Sequence, residues 1–341
     1  MLTLVLVRLR SVAVALSPRR MVLASLAMLT GVFFLLLATS SRSSSASHLP
    51  MRMQERVERL ESVCAGMPAP SEVAAAAMAE ATRLRTQVLE EHRLMVCVVF
   101  KAGSTTWNSI VAHRYNNTEI LKTRKFYKLI EMLKATRERF QEVSRSSLFL
   151  RAVMARHPLE RLLSAYKDRI EDQSHVSSQA RYYSPLILRH TRGHSYSRED
   201  LYNINGTLRV VPTFREFVSY LVSRPPEEYD PHWRPVSLLC GLCHVQYTAV
   251  VLTETYNEDM LYVMRASGLG QAVNATLLLK KNNNRGKGDT HQLLNDYYST
   301  LEPPLLQQII NIYQNDFRLF NYAPGDVLRP FITPPTSHAP S

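Results

Sequence analysis

Hydrophobic and polar residues divide the first ninety positions of the chain into distinct segments. Residues 21–38 are uncharged and mainly apolar, and as an α-helix they would extend about 27 Å, close to the hydrocarbon thickness of an endoplasmic reticulum membrane. The preceding segment contains arginines but no acidic residue, a charge pattern that favours a cytosolic position. We therefore predict a cytosolic tail at residues 1–20 and a transmembrane signal-anchor at residues 21–38. A cleaved signal peptide is the alternative, because small residues and serines follow the apolar run.

The segment after the apolar run is polar. Residues 40–47 are mostly serine, which is typical of a flexible linker. Residues 51–62 and 71–91 have apolar positions at helical spacing among charges of both signs. This pattern predicts solvated helices, with a short coiled coil as the alternative. We assign residues 39–92 to a luminal stem.

The rest of the chain is long enough for a single α/β domain with a large core, which we place at residues 93–323. The proline-rich end, residues 324–341, is expected to be a loose tail. Inside the domain, Val96–Phe100 is an apolar run, and Phe149–Ala155 is apolar except for Arg151. Each predicts a buried strand that leads into the start of a helix.

The first of these junctions has the composition of an anion site. Lys101 ends the apolar run, and small or hydroxyl-bearing residues follow it before a helical pattern begins. Free backbone N–H groups at a helix start, hydroxyl donors and an ammonium group are what a phosphate group requires. The nucleoside triphosphate fingerprint is absent, because the lysine precedes the glycine. We assign to this site Phe100, Lys101, Ala102, Gly103, Ser104, Thr105 and Thr106.

The second junction predicts a second anion site. Arg156 follows the strand, Pro158 suits the first turn of a helix, and Ser164 lies further along that helix. We assign to this site Arg156, His157, Pro158, Leu159, Glu160, Arg161, Leu162, Leu163 and Ser164.

The order of these two elements resembles the carbohydrate sulfotransferases of the Golgi. In that family the first element holds the 5′-phosphosulfate end, and the second the 3′-phosphate, of 3′-phosphoadenosine 5′-phosphosulfate (PAPS). Two further blocks match the family pattern, one from Asp230 through Cys240 and Cys243 to Tyr247, and one at residues 312–322. The likeness covers about residues 93–323 and is closest to the chondroitin, dermatan and HNK-1 branch.

The resemblance implies a P-loop-like α/β fold in which helices flank a central parallel sheet. It also implies PAPS as the sulfate donor without a metal, a glycan or proteoglycan acceptor, and a Golgi membrane protein of type II. Galactosamine-containing acceptors of the chondroitin or dermatan type are the first expectation. Phe100 and Ser104 replace a proline and a cysteine that are usual in the branch, and His157 replaces an acid. These differences weaken the assignment to any one acceptor, and the sequence leaves a homodimer open.

Two residues are candidates for catalysis. Lys101 would stabilise the negative charge that develops on the leaving oxygen in the transition state. The alternative is that Lys101 only binds the phosphate in the ground state. His232 is the candidate base for the acceptor hydroxyl, because a histidine has a pKa close to the working range. A packing role for His232 is the alternative, and Glu254 is the next candidate base. A membrane-anchored, non-catalytic glycan-binding protein and a luminal kinase are alternative functions. The first is disfavoured by the retained set of Lys101, Ser104, Thr105, Arg156 and Ser164. The second is disfavoured by the missing Walker lysine position and by the absence of an obvious magnesium-binding acid next to the loop.

Charge and modification signals agree with a secretory enzyme that acts on acidic ligands. The formal net charge is +12, which attracts both a nucleotide and a polyanionic glycan. Nucleic acid, the competing partner for a basic protein, is not expected in a lumen. Sequons at Asn116, Asn205 and Asn274 predict N-glycosylation. A basic loop at residues 280–288 could close over a ligand or be solvated.

The four cysteines allow three disulfide pairings, and the sequence does not choose among them. Cys240 and Cys243 have the spacing of one half of a zinc site, with His232 and His244 nearby. No second paired block completes such a site. We therefore expect no metal.

Overall fold

The computed structural model describes residues 50–174, 176–273 and 290–332. The chain divides into residues 1–52, of which only the start of a helix is described, and residues 53–341. The expected signal-anchor, Asn274 and the basic loop at 280–288 all lie outside the described residues. Across the described ranges, no helix combines the length and apolar character needed to span a bilayer.

Helices account for more than half of the described chain, and four short strands and the connecting loops make up the rest. The strands are β1 (Thr86–Leu89), β2 (Leu94–Cys97), β3 (Leu150–Ala155) and β4 (Ala249–Leu252). The helices are α1 (50–65), α2 (Glu72–Arg83), α3 (Ser104–Arg114), α4 (Thr118–Thr123), α5 (Tyr127–Leu133), α6 (Arg137–Val143), α7 (Pro158–Tyr166), α8 (Ser178–Arg192), α9 (Arg198–Leu201), α10 (Phe214–Val222), α11 (Val236–Leu239), α12 (Tyr256–Ala266), α13 (Leu269–Ala272), α14 (Thr290–Tyr298), α15 (Pro303–Ile312), α16 (Gln314–Phe320) and α17 (Gly325–Ile332). Residues Lys167–Glu171 extend α7 as a π-helix.

The four strands form one sheet in the order β1-β2-β3-β4. Strands β2, β3 and β4 are parallel, whereas β1 pairs with β2 in the antiparallel sense. The expected central parallel sheet is therefore present with an antiparallel strand at one edge. Every residue of β2 is fully buried, as expected for a parallel strand that helices cover on both faces.

The domain begins before residue 93, where the sequence analysis placed its start. Strand β1 lies in the segment assigned to the stem, and it belongs to the sheet. Met53 and Leu60 of α1 are 1% and 4% exposed and join the sheet's core cluster. Some apolar positions of this segment therefore pack on the domain, whereas Met51, Val73 and Leu84 are exposed.

Two apolar clusters hold the domain together. One surrounds the sheet, and the other gathers α7, α10, α14 and α15. Val327 and Leu328 of α17 are buried in the second cluster. The segment expected to be a loose tail is therefore helical over Gly325–Ile332, and its residues Val327 and Leu328 pack in the core.

Two disulfides select one of the three possible pairings. Cys64 of α1 is bonded to Cys243, and Cys97 at the end of β2 is bonded to Cys240. The N-terminal helix and the central strand are thus both linked to the short loop that follows α11. This pairing suits an oxidising compartment.

Candidate active site

The turn that contains Lys101, here called the lysine turn (residues 100–103), follows β2 and has an unusual backbone conformation. Lys101 has a φ of 68° and Gly103 has a φ of 89°. Both values lie in the left-handed region, which glycine adopts without steric strain. A Cβ atom at Gly103 would lie 2.2 Å from Cε2 of Tyr256. The hydroxyl of Tyr256 donates a hydrogen bond to the Gly103 carbonyl at 2.9 Å. Tyr256 therefore holds the backbone of this turn through its ring contact and its hydrogen bond. The sequence analysis did not single out this residue.

Helix α3 begins directly after the turn. Its N-cap is Gly103, so no side chain accepts hydrogen bonds from the N–H groups of the first turn. Those groups remain available to an anion. Trp107 is fully buried, and its Nε1 donates to Oε1 of Gln87 at 2.7 Å. The tryptophan of the motif therefore anchors α3 to β1.

The ammonium group of Lys101 is paired with a carboxylate. Its Nζ lies 3.1 Å from Oδ2 of Asp168, and the same oxygen lies 3.0 Å from Nε of Arg169. Burial lowers the pKa of Lys101, and the nearby Asp168 opposes that shift. Asp168 and Arg169 belong to the π-helix that extends α7, and π-helical turns often occur at functional sites.

The structure brings the second anion motif next to the first. Nη1 of Arg156 donates to the Lys101 carbonyl at 3.4 Å, and Nε donates to Oε2 of Glu160 at 3.0 Å. Glu160 and Ser164, four residues apart, share the partly exposed face of α7. Arg156, Glu160 and Ser164 are thus the members of this motif that a ligand can reach.

The other residues of the second motif are buried and have structural roles. Pro158, Leu159, Leu162 and Leu163 lie in the interior. His157 is 2% exposed, and its Nε2 is 3.0 Å from the Ala323 carbonyl. Burial lowers the pKa of His157, which favours the neutral ring. These residues support the anion site without lining it.

Arg161 also turns inward, and its guanidinium joins separate parts of the site. Its side chain is 1% exposed and donates to the carbonyls of Phe100, Arg234 and Pro231 at 3.0, 2.7 and 2.9 Å. Phe100 precedes the lysine turn, whereas Pro231 and Arg234 flank the His232 segment. One buried side chain therefore holds both candidate catalytic segments in place.

His232 is oriented by an aspartate. Its Nδ1 lies 2.6 Å from Oδ1 of Asp230, so Nδ1 is assigned as the protonated nitrogen and Nε2 as the acceptor. Within the described ranges, no hydrogen-bond partner contacts Nε2. Burial lowers the pKa of His232, while hydrogen bonding and the charge of Asp230 raise it. Histidine–carboxylate pairs of this kind occur in general-base catalysis, and the role of His232 as the base stays a prediction.

The two candidate catalytic residues are linked by Phe100. Its ring stacks on the His232 imidazole with centroids 4.3 Å apart, and it directly precedes Lys101. The guanidinium carbon of Arg85 lies 5.4 Å from the centroid of the Phe100 ring. Arg85 fell in the predicted stem, and the only sequence signal for it is its position directly before β1.

Other sequence candidates have different surroundings. Glu254, the alternative base, is exposed and accepts a hydrogen bond from the Tyr322 hydroxyl at 2.9 Å. Asn116 and Asn205 are exposed. Oδ1 of Asn205 accepts hydrogen bonds from the hydroxyl and the amide of Thr207. In the part of the chain that the structure describes, no group of three acidic, histidine or cysteine side chains could hold a metal.

Comparison with known proteins identifies the family. Carbohydrate sulfotransferase 11 of Rattus norvegicus is 24% identical over 249 residues, which cover 70% of this chain and 67% of that protein. Carbohydrate sulfotransferase 14 of Danio rerio is 25% identical over 290 residues, covering 83% and 75%. Carbohydrate sulfotransferase 9 of Homo sapiens is 29% identical over 253 residues, covering 70% and 53%. No solved structure matches the chain significantly. Residues 85–323, which include both anion motifs and His232, match the Sulfotransferase family, and the chain belongs to that family.

Proposed function

We propose that this sulfotransferase transfers sulfate from PAPS to a hydroxyl group of a glycan. The observation that carries the proposal is the placement of Lys101 and the Asp230–His232 pair on two segments that Phe100 and Arg161 hold together. A cation for the leaving group and a base for the acceptor are the two groups that such a transfer requires. The names of the relatives support a carbohydrate as the acceptor.

The residues of the two motifs fit the donor. The uncapped first turn of α3 and the hydroxyl groups of Ser104, Thr105 and Thr106 suit the 5′-phosphosulfate. Arg156 and Ser164 suit the 3′-phosphate. The bound donor supplies an activated sulfuryl group. Because Lys101 is paired with Asp168, the donor phosphate competes with that carboxylate for the ammonium group.

The side chains then divide the work of the transfer. Nε2 of His232 accepts the proton of the acceptor hydroxyl while the acceptor oxygen forms its bond to sulfur. The bond between sulfur and the bridging oxygen breaks, and negative charge grows on that oxygen. Lys101 stabilises this charge from its position at the turn. Asp230 stabilises the imidazolium ion that forms on His232.

We further propose that the enzyme is a type II protein of the Golgi membrane, with residues 21–38 as its anchor and its catalytic domain in the lumen. Both disulfides suit an oxidising lumen, and the exposed sequons at Asn116 and Asn205 suit N-glycosylation. Asn274 is the third proposed site. Chondroitin-type or dermatan-type chains with galactosamine are the acceptors to examine first.

A direct transfer assay tests the proposal. The full chain is incubated with sulfate-labelled PAPS and a panel of desulfated glycans, with a Lys101→Ala variant as the control. We expect label on at least one galactosamine-containing glycan, and a loss of labelling in the variant. Binding of glycan without transfer of label to any acceptor would instead indicate a non-catalytic glycan-binding protein.

A further inference from the structure

A further cationic site lies between α8 and α10, outside the residues assigned to donor and base. It is a cleft of about 380 Å³ lined by Leu186, Arg189, His190, Tyr220, Ser223 and Arg224. Arg189, His190 and Arg224 are exposed at its edge. The guanidinium carbon of Arg224 lies 5.6 Å from the centroid of the Tyr220 ring, and the His190 ring meets the same ring edgewise. The Tyr220 ring therefore contacts two of the basic side chains, those of His190 and Arg224.

The two arginines of this cleft form no ion pair with an acidic side chain of the described chain. The neighbouring Arg192 shows the contrast, because its Nε is 2.6 Å from Oε1 of Glu216. Within residues 50–174, 176–273 and 290–332, no carboxylate lies within ion-pair distance of Arg189 or Arg224. Two guanidinium groups beside one cavity with no internal counter-ion are suited to an anionic ligand.

The cleft is connected to the candidate base along one face of α8. Nε2 of Gln179 donates to Oδ2 of Asp230 at 3.3 Å. One turn later, Tyr183 packs edgewise on Trp233 and on Tyr220, with centroids 4.9 and 6.5 Å apart. His190 follows two turns further along, and the spacing of these positions keeps them on one face. The cleft therefore lies about 15 Å along the helix from the base.

We propose that this cleft binds acidic sugars of the acceptor glycan at a distance from the sugar that is sulfated. The proposal rests on the glycan-sulfating function proposed above, and it identifies the acceptor as an extended polyanion. The carboxylate of a uronic acid and the ester of an already sulfated sugar present the same chemistry to the arginines. A short acceptor that reaches only His232 gains nothing from the cleft.

The test compares two double variants of the full chain. Arg189→Gln with Arg224→Gln removes the guanidinium groups of the cleft. Arg59→Gln with Arg265→Gln is the matched control, because both arginines are exposed and lie on α1 and α12. The probes are long desulfated chondroitin, which carries only carboxylates, sulfated chondroitin, and dextran as a neutral chain. Binding is measured by fluorescence anisotropy at several salt concentrations.

We expect the cleft variant to bind both chondroitin chains about tenfold more weakly than the control, with a salt dependence whose log–log slope is smaller by about one to two. A larger loss for one chain would show whether carboxylates or sulfates are preferred. Binding of adenosine 3′,5′-bisphosphate should be unchanged. Arg189→Lys with Arg224→Lys should restore most of the affinity, which excludes misfolding as the cause.

Two results would overturn the inference. One is equal chondroitin binding by the cleft variant and the control. The other is an unchanged affinity for chondroitin with a selective loss of binding to phosphatidylserine vesicles, which would assign the cleft to a lipid surface. Cleft-dependent binding without sulfate transfer would contradict the proposed function alone, because anisotropy does not depend on catalysis.

Discussion

The phenyl ring of Phe100 lies flat against the imidazole ring of His232, with centroids 4.3 Å apart and planes inclined by 12°. Phe100 comes directly before the lysine turn, whereas His232 follows it by more than a hundred residues. The stack fixes one face of the imidazole, and the contact with Asp230 fixes its Nδ1 edge. The remaining nitrogen, Nε2, is therefore held in a defined position relative to Lys101.

The first prediction concerns His232 as the base. His232→Ala should lower kcat by about a hundredfold or more, with little change in the binding of donor or acceptor. Burial lowers the pKa of His232, so the wild-type rate should stay high until the pH falls below the usual histidine range. The low-pH limb of the rate profile is measured from pre-steady-state rates at a series of pH values. A variant that keeps its turnover and the same limb would exclude His232 and favour a carboxylate such as Glu254.

A second variant separates the orienting role of Asp230 from that of the base. Asp230 raises the pKa of His232 against the effect of burial. Asp230→Asn should therefore move the low-pH limb to still lower pH, while kcat falls because the tautomer is no longer fixed. The pH profile of kcat distinguishes this result from simple loss of folded protein, which would lower the rate at every pH. An unmoved limb would contradict the assigned pairing.

The third prediction concerns the ion pair between Lys101 and Asp168. Because a donor phosphate competes with Asp168 for the ammonium group of Lys101, Asp168→Asn should tighten the binding of adenosine 3′,5′-bisphosphate by about two- to fivefold, the usual size of a partly exposed ion pair. Isothermal titration calorimetry measures the change. Lys101→Ala should instead weaken this binding, and weaker binding by Asp168→Asn would indicate that the aspartate supports the donor site.

Arg156 provides a test of the second anion site. If it serves the 3′-phosphate, Arg156→Ala should weaken the binding of adenosine 3′,5′-bisphosphate roughly tenfold to a hundredfold. Binding of adenosine 5′-monophosphate should hardly change, since that nucleotide lacks the 3′-phosphate. Calorimetry with both nucleotides gives the ratio of the two dissociation constants in the wild type and in the variant. A preference that survives in the variant would show that the motif has another role.

Arg161 should matter for stability rather than for binding. Arg161→Met leaves three buried carbonyl acceptors without their donor, at a cost of at least about 3 kcal/mol in the free energy of unfolding. Denaturant titration measures this change against Arg265→Met, an exposed position where the effect should stay within about 0.5 kcal/mol. Equal stability of the two variants would contradict the structural role.

The sequence predicts the parts of the site that are local in the chain. Lys101 with the turn to α3, and Arg156 with the start of α7, are each visible as an apolar run followed by a helix start. The role of Arg161 is not visible, because its three partners lie 61 to 73 residues away. Asp168 is missed for the same reason, since nothing in a sequence pairs a π-helical carboxylate with a lysine 67 positions earlier.

The error at β1 has a different origin. Four strand residues are too few for alternation to be evident, and the charged residues around them match a helical pattern. Only pairing with β2 makes Thr86–Leu89 a strand. Edge strands of this length depend on a long-range partner more than on their own composition.

The positions of the two disulfides also determine when, during synthesis of the chain, these bonds can form. Both pair a cysteine of the first hundred residues with a cysteine near position 240, at sequence separations of 179 and 143. Neither bond can form until the ribosome has passed residue 240. Strand β2, which precedes the lysine turn, therefore has to wait for more than half of the chain before its covalent partner exists. Covalent attachment of β2 to the loop after α11 is thus a late event that follows translation of the His232 segment, whatever the rate at which the N-terminal helices form.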